Sequence, residues 1–280
     1  MQTPLRWNFR RSPNQEDSTA GAEMGRDGVP EATAVIPRPR PSRRCRSSPH
    51  DVRCCVCVLI REGSMVAIRH YAIIREAATH IAEAAGGTVE VLVDGRVEQE
   101  PAFTDRMLGR IEGAMEGFVR KGVRWSAKTL TDRGRGSQER EFGADFAGVL
   151  NIDLEDYKVR KGFLAQAKII EPDVRVAPAD IERMVVQCEQ MLRHTPDSFL
   201  FLYSMQGISV VPAVSVLGSP FSNPHDLYAR SLSRFYEEHF ECFIGDRDIS
   251  SPDPQMLDGL RERLRVRTLS YLSAQRETVQ

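Results

Sequence analysis

Lysine is scarce in this chain of 280 residues. Only five of the 38 basic residues are lysines, at positions 121, 128, 158, 161 and 168, and the rest are arginines. The formal net charge is −1, so the total charge gives no indication of a nucleic-acid partner. A local basic groove would not show in that total. The scarcity of lysine makes a lysine that falls within a motif, such as Lys168, more informative.

Long apolar runs are also missing. The two longest, residues 54–60 and 208–217, are shorter than the ~20 residues that a helix needs to span a bilayer. The first arginines, Arg6, Arg10 and Arg11, are not followed by the apolar run of a secretory signal. A composition of 41% hydrophobic and 28% charged residues is typical of soluble globular proteins. We therefore expect a cytoplasmic protein without a membrane partner.

Motifs that rest on cysteine, histidine or a glycine-rich loop are incomplete. Cys54 and Cys57 have the spacing of a zinc or redox pair, but no second pair accompanies them. We interpret the six cysteines as free thiols in a reducing compartment. The six histidines are scattered, and no glycine-rich loop ends in Gly-Lys. These absences argue against a zinc site and against a nucleotide-binding P-loop.

Composition and periodicity divide the chain into four regions. Residues 1–62 are rich in proline and arginine, which predicts a disordered basic tail. This tail is either a nucleic-acid-binding arm or the product of a start codon assigned too early, and we favour the second interpretation, with Met65 as the true start. A helical N-terminal region (63–122), an α/β core (123–218) and a C-terminal helical region (219–280) are predicted to follow.

The elements of the core indicate a mixed α/β fold. Apolar periodicity predicts helices at 65–86, about 104–120 and 178–193, a short hairpin at 89–98, and strands at 145–153, 162–170, 198–203 and 208–216. Their order predicts a mixed sheet flanked by helices. In the C-terminal region, large apolar and aromatic side chains from Leu227 to Phe243 recur at helical spacing. That stripe indicates either core packing or a face for homo-oligomer formation.

Two predicted strands bring an acid, an amide and a lysine to one place. Asp145 begins one strand, and Gln166 and Lys168 end the next. Residues i and i+2 of a strand share a face, so these two side chains point the same way. A hairpin that pairs the strands would place Asp145 beside them. An acid, a polar oxygen and an amine at one sheet edge suggest a divalent metal beside a water-activating lysine.

The order Glu-x(5)-Asp, then Gln-x-Lys about 20 residues later, then a helix and a strand, resembles the PD-(D/E)xK nuclease superfamily. The glutamine in place of the usual acid resembles the Mrr-like branch of that superfamily. The resemblance covers roughly residues 125–217. It implies a restriction-endonuclease-like core, with N- and C-terminal helical additions here, and metal-dependent hydrolysis of phosphodiester bonds.

The resemblance also implies roles for single residues. Asp145 would be the central carboxylate ligand of Mg²⁺ or Mn²⁺, with the side-chain oxygen of Gln166 and the carbonyl of Ala167 on the same ion. Lys168 would orient or deprotonate the attacking water and stabilise charge on the phosphate. A neutral amide binds a hard cation less tightly than a carboxylate does. We therefore expect one well-bound ion rather than two.

Further residues are expected around this centre. The superfamily usually has a helix-borne acid before the aspartate, and we prefer Glu139 to Glu141 for that place. Arg133 and Arg135, in a glycine-containing loop, are expected to meet phosphates. Gln187, on the predicted helix after Lys168, is a candidate substrate-binding residue because related nucleases often place a glutamine there.

The predicted function is a magnesium-dependent endonuclease that acts on DNA in preference to RNA, in restriction or anti-phage defence. Two alternatives stay open. One is a catalytically inactive nuclease fold that serves as a DNA-binding or assembly subunit. The other is a small-molecule enzyme in which Lys168 acts as a base or a phosphate ligand. Taken singly, Asp145 is as well explained as a turn acid and Lys168 as an edge-strand charge that discourages aggregation; their combination favours the nuclease.

Overall fold

An eight-stranded mixed sheet with helices on both faces organises the chain. The computed structural model describes residues 65–96, 99–131, 143–219, 223–251 and 253–277. The helices are α1 (Met65–Gly86), α2 (Val89–Val93), α3 (Glu100–Met115), α4 (Pro178–Leu192), α5 (Ala213–Gly218), α6 (Leu232–Phe240) and α7 (Leu257–Arg263), with 3-10 turns at Pro224–Asp226 and Pro254–Met256. The strands are β1 (Val119–Arg120), β2 (Val123–Thr131), β3 (Phe146–Asp153), β4 (Lys158–Ile169), β5 (Ser198–Ser204), β6 (Gly207–Pro212), β7 (Arg230–Ser231) and β8 (Thr268–Arg276). None of the helices in these ranges is long and apolar enough to cross a bilayer.

The strand order is β1-β2-β8-β3-β4-β5-β6-β7. The expected hairpin is confirmed, since β3 pairs antiparallel with β4 and Phe146 lies opposite Ala165. Strand β5 runs parallel to β4, and helix α4 makes the crossover between them. Strand β8 is parallel to β3 and antiparallel to β2. The fold is therefore mixed α/β, as the sequence predicts.

Two apolar cores lie on the two faces of the sheet. Helices α1, α3 and α6 cover one face, and α4, α5 and α7 cover the other. Along β4, Phe163 and Ala165 belong to the first core and Leu164 to the second. The same alternation places Ala167 with the first core and Gln166 on the α4 side. Strand β4 is buried on both faces as it approaches its last residues.

Four segments differ from the sequence predictions. The helix predicted at about 104–120 begins at Glu100 and ends at Met115, and Val119–Arg120 form β1. The C-terminal region contains the helices α6 and α7, but it also contains the nine-residue strand β8, which lies between β2 and β3 in the sheet. The valine-rich segment 89–93 forms the short helix α2 instead of a hairpin strand. The strand predicted at 208–216 ends at Pro212, where α5 begins. In each case the packing of the whole chain outweighs the local preference of the segment.

The part of the aromatic stripe that lies on α6 belongs to the core, whereas Tyr228 and Phe243, on either side of this helix, are exposed. On α6, the side chains of Leu232, Phe235, Tyr236 and Phe240 are buried. The ring of Phe235 meets that of Phe163 edge to face, with 5.0 Å between the ring centres. The chain's own sheet and helices already cover these side chains, which agrees with the core interpretation, and homo-oligomer formation stays a prediction.

His239 on α6 gives a stability prediction. Its side chain is buried, Nδ1 donates to the Ile244 carbonyl at 3.1 Å, and Nε2 has no hydrogen-bond partner among the described residues. Burial, with a smaller effect of the nearby Lys161, lowers the pKa of His239 to about 3. The unfolded chain takes up this proton below about pH 6.5, whereas the folded chain does not. The free energy of unfolding should therefore fall as the pH drops from 6.5 towards 3, by at most about 1.4 kcal/mol per pH unit.

Urea unfolding at pH 7.5 and pH 5.5 tests this expectation. Between these two pH values the wild-type chain should lose about 1 kcal/mol more than the His239→Gln variant, because the variant has no imidazole to protonate. The comparison cancels the contributions of all other titrating groups that the two proteins share. Equal losses in both proteins would contradict the assignment of a neutral buried imidazole.

Candidate functional site

Asp145 and Gln166 meet at the open end of the β3–β4 hairpin, where β3 begins and β4 ends. Asp145 lies one residue before β3, and its backbone N–H donates to the Ala165 carbonyl at 2.8 Å. Its carboxylate Oδ2 accepts hydrogen bonds from the Ala167 backbone N–H, at 3.0 Å, and from the side-chain Nε2 of Gln166. The exposed fraction is 8% for Asp145 and zero for Gln166. The structure thus brings together three of the residues that the sequence singles out, in a buried position.

The segment that leads to Asp145 passes tightly against α4. Gly143 has a φ of +68°, and a Cβ atom at this position would lie 2.9 Å from the Cα of Gln187. Only glycine combines this backbone conformation with so close an approach. The contact places the backbone of Gln187 beside the chain segment that precedes Asp145. The Oε1 atom of Gln187 is buried without a hydrogen-bond partner in the described part of the chain.

Lys168 forms an ion pair that the sequence does not predict. Its Nζ lies 3.3 Å from Oε2 of Glu100, the first residue of α3. Oε1 of the same carboxylate accepts a hydrogen bond from the Ile169 backbone N–H at 3.4 Å. The side chains of Lys168 and Glu100 are 16% and 31% exposed. One carboxylate thus holds both the lysine side chain and the backbone that follows it.

Glu100 is therefore a helix-borne acid at this site. The acids predicted for that place, Glu139 and Glu141, lie outside the described residues, as do Arg133 and Arg135. Glu100 is far from Asp145 in the sequence, so motif spacing does not identify it. The available signal was weak: an acid followed by Pro101 is typical of the first turn of a helix.

Four contacts fix the first two turns of α3 at this edge of the sheet. The hydroxyls of Thr104 and Tyr203 lie 3.0 Å apart, and the ring of Phe103 stacks on that of Tyr203 at 4.2 Å. The guanidinium of Arg267, just before β8, donates to the Pro101 carbonyl at 3.0 Å and to the carboxylate of Asp105. These contacts attach α3 to β5 and to the start of β8, so the position of Glu100 is set by buried packing.

The electrostatics show that the two acids share one region. Burial raises the pKa of Tyr203, and the charges of Asp145 and Glu100 raise it further. On the α4 side, burial raises the pKa of the Cys188 thiol to about 12, although the nearby charge of Lys168 acts in the opposite direction. Cys188 is therefore a neutral thiol at physiological pH. This thiol is not in the thiolate form that binds metals.

The groups at this edge fit a hard divalent cation. They are the carboxylate of Asp145, the carbonyl of Ala167 and the Oε1 atom of Gln166, which is buried and has no hydrogen-bond partner in the described ranges. Such oxygens are the ligands of Mg²⁺ and Mn²⁺. No group of three or more His, Cys, Asp and Glu residues within the described ranges is placed to hold a metal. A cation here would thus depend on amide and carbonyl oxygens as well as on carboxylates.

Comparison with known proteins adds no assignment. No protein-family model matches the chain, and neither a curated protein nor a solved structure does. The function must therefore be inferred from the geometry at the end of the β3–β4 hairpin.

Proposed function

We propose that this chain is a metal-dependent nuclease that hydrolyses phosphodiester bonds of DNA. The observation that carries the proposal is the contact of the Asp145 carboxylate with Gln166 and Ala167 at the sheet edge that also bears Lys168. The order β3, β4, α4, β5 also agrees with the order that the resemblance to PD-(D/E)xK nucleases implies. Strand β8, which lies beside β3, would be an addition to such a restriction-endonuclease-like core.

A Mg²⁺ or Mn²⁺ ion would be held by the Asp145 carboxylate, the Ala167 carbonyl and the Gln166 side-chain oxygen. Glu100 is the second acid of the same region, because its charge and that of Asp145 both act on Tyr203. When bound, the ion supplies a Lewis acid for the phosphate and lowers the pKa of a coordinated water. This oxygen donor set would favour a hard cation over zinc.

Lys168 supplies the positive charge of the chain itself. A lysine ammonium has three N–H groups, and the 3.3 Å contact with Glu100 uses one of them. The contact holds the ammonium at Glu100, and Lys168 lies two residues after Gln166 on β4. There the ammonium stabilises the negative charge that develops on a phosphate during hydrolysis. Glu100 thus acts as a positioning residue for Lys168.

The proposed substrate is DNA in preference to RNA, and the proposed role is restriction or defence against foreign DNA. The alternative of an inactive DNA-binding or assembly subunit has the same fold and the same partner. It predicts DNA binding without strand cleavage. One assay with plasmid DNA, linear DNA and RNA separates these possibilities.

Cleavage of supercoiled plasmid in Mg²⁺ or Mn²⁺ should be abolished by chelator and lowered about 100-fold or more by Asp145→Asn. This substitution keeps the size of the side chain and removes the charge that attracts the cation. Asp153→Asn is the matched control, because Asp153 is an exposed acid at the far end of β3, the strand that Asp145 precedes, and it pairs with Lys158 at 2.9 Å. The control variant should cut as wild type does.

Two results would contradict the nuclease. One is the absence of both metal binding and cleavage of any DNA or RNA. The other is cleavage by Asp145→Asn at the wild-type rate. Tight DNA binding by wild type without cleavage, under every metal condition, would instead support the inactive subunit.

A further inference from the structure

The side-chain amide of Gln166 donates to two oxygens at once. Its Nε2 bonds to Oδ2 of Asp145 and, at 3.2 Å, to the carbonyl of Ala167. A primary amide has two N–H groups, so these bonds use both donors. The two acceptors are the same oxygens that the proposed function assigns to the cation. The amide nitrogen thus lies between two of the cation's ligands.

The orientation of this amide leaves its oxygen without a partner. Oε1 is buried and accepts no hydrogen bond from the described residues, although a buried acceptor without a donor is unfavourable. In the opposite orientation Oε1 would face Oδ2 of Asp145 and the Ala167 carbonyl. Both are acceptors, so this orientation would be less favourable still. The buried carboxylate of Asp145 therefore selects the present orientation: the partial positive charge of the amide N–H groups compensates its negative charge.

We propose that Gln166 is a two-position amide that alternates with the cation. In the first position its N–H groups donate hydrogen bonds to Asp145 and Ala167, which stabilise the buried carboxylate. In the second position the amide has turned about its last side-chain bond and offers Oε1 to the ion. This inference rests on the proposed function, because it concerns the same metal site.

Two consequences distinguish a two-position amide from a simple ligand. Because the cation must displace both amide hydrogen bonds, Gln166 weakens cation binding relative to a carboxylate at the same position. Because the amide donates a hydrogen bond to the buried Asp145 carboxylate, Gln166 also stabilises the cation-free protein. A residue that served only as a ligand would have no effect on the cation-free protein, and a residue that only donated hydrogen bonds would only weaken cation binding, so its removal would raise the affinity.

The Gln166→Glu variant separates these roles. Without a cation it places a second carboxylate against Asp145 inside the protein, so its melting temperature in chelator should fall by at least about 3 °C. With Mn²⁺ the two acids share the ion, so its calorimetric Kd should be about 10-fold lower than that of wild type. Mn²⁺ should therefore raise the melting temperature of the variant more than that of wild type. Gln206→Glu, which adds the same charge at an exposed turn, should change neither quantity.

A second measurement uses the wild-type chain itself. In ¹H–¹⁵N spectra of the wild-type chain, the Gln166 side-chain amide signals should shift when Mg²⁺ is added, because both N–H groups lose their acceptors. Gln166→Met, which has neither donors nor an amide oxygen, should lower both the melting temperature in chelator and the affinity for Mn²⁺. If the Gln166 amide signals do not shift while Mg²⁺ binds, the proposed rotation of this amide is wrong.

The outcomes separate this inference from the nuclease itself. If wild type binds neither Mn²⁺ nor Mg²⁺, both the proposed metal site and the proposed two-position amide are wrong. If wild type binds Mn²⁺ through Asp145, but Gln166→Glu changes neither the affinity nor the melting temperature in chelator, only the amide device is overturned.

Discussion

Replacement of Lys168 with alanine is expected to reduce the rate of DNA cleavage by about 100-fold to 10,000-fold. The ammonium is the positive charge that β4 places at the sheet edge beside Gln166, and its side chain is only 16% exposed. Removal of this charge takes away the stabilisation that Lys168 gives to the phosphate during the reaction. Initial rates of plasmid nicking at saturating Mg²⁺ measure the loss, and a melting curve shows whether the variant is folded.

Folding should be retained in Lys168→Ala, because the partner Glu100 is about one-third exposed and water can solvate it. Lys158→Ala is the matched control. Lys158 lies on the same strand, pairs with Asp153 at 2.9 Å, and is 70% exposed. Its loss should leave cleavage unchanged. A Lys168→Ala variant that cuts within a factor of two of wild type would exclude a role for this lysine in the reaction.

Lys168→Arg refines the same test. Arginine keeps the positive charge but replaces a compact ammonium with a planar guanidinium of different reach. If the charge alone matters, cleavage should recover most of the way. If the position of the ammonium between Glu100 and the phosphate matters, the arginine variant should remain impaired, and Glu100→Gln should impair cleavage to a similar extent.

The hairpin that carries the site could be predicted because its determinants are local. Asp145, Gln166 and Ala167 lie on strands that are adjacent in the chain, and a period of two fixes which side chains share a face. Helix α4 was predicted to within one residue because its apolar side chains follow a helical period. The contact of Asp145 with the Gln-x-Lys strand follows from these two patterns alone.

Glu100 and β8 could not be predicted by the same means. The Lys168–Glu100 pair depends on how α3 packs across the sheet, and contacts such as Thr104 with Tyr203 set that packing. Strand β8 is buried on both faces over most of its length, so it lacks the alternation that identifies a half-exposed strand. Its pairing with β2 and β3 joins distant parts of the sequence.

Strand β8 has a consequence for the site beyond the fold. Its insertion beside β3 brings Arg267 to the sheet edge, where the guanidinium donates to the Pro101 carbonyl. Pro101 follows Glu100 directly. The chain thus uses its last strand to hold the helix whose first acid binds Lys168. A core limited to residues 123–218, as the sequence suggests, would lack both Glu100 and the arginine that anchors its helix.

Gly143→Ala should destabilise the protein by about 2–5 kcal/mol, because two separate costs combine. The φ of +68° is unfavourable for alanine, and the new Cβ would lie 2.9 Å from the Cα of Gln187, a backbone atom that cannot move without α4. Urea unfolding measures the free-energy change. Since Asp145 is two residues away, the variant should also cut DNA more slowly than its folded fraction would account for.

Gly95→Ala isolates the first of these costs. Gly95 has nearly the same φ, +65°, but nothing lies within 4 Å of the position that a Cβ would occupy. This variant should lose only about 1–2 kcal/mol and should keep full activity. The excess loss in Gly143→Ala then measures the close contact with α4. If both variants lose the same free energy, the segment before Asp145 is not held by its packing against Gln187, and some other contact must position the carboxylate.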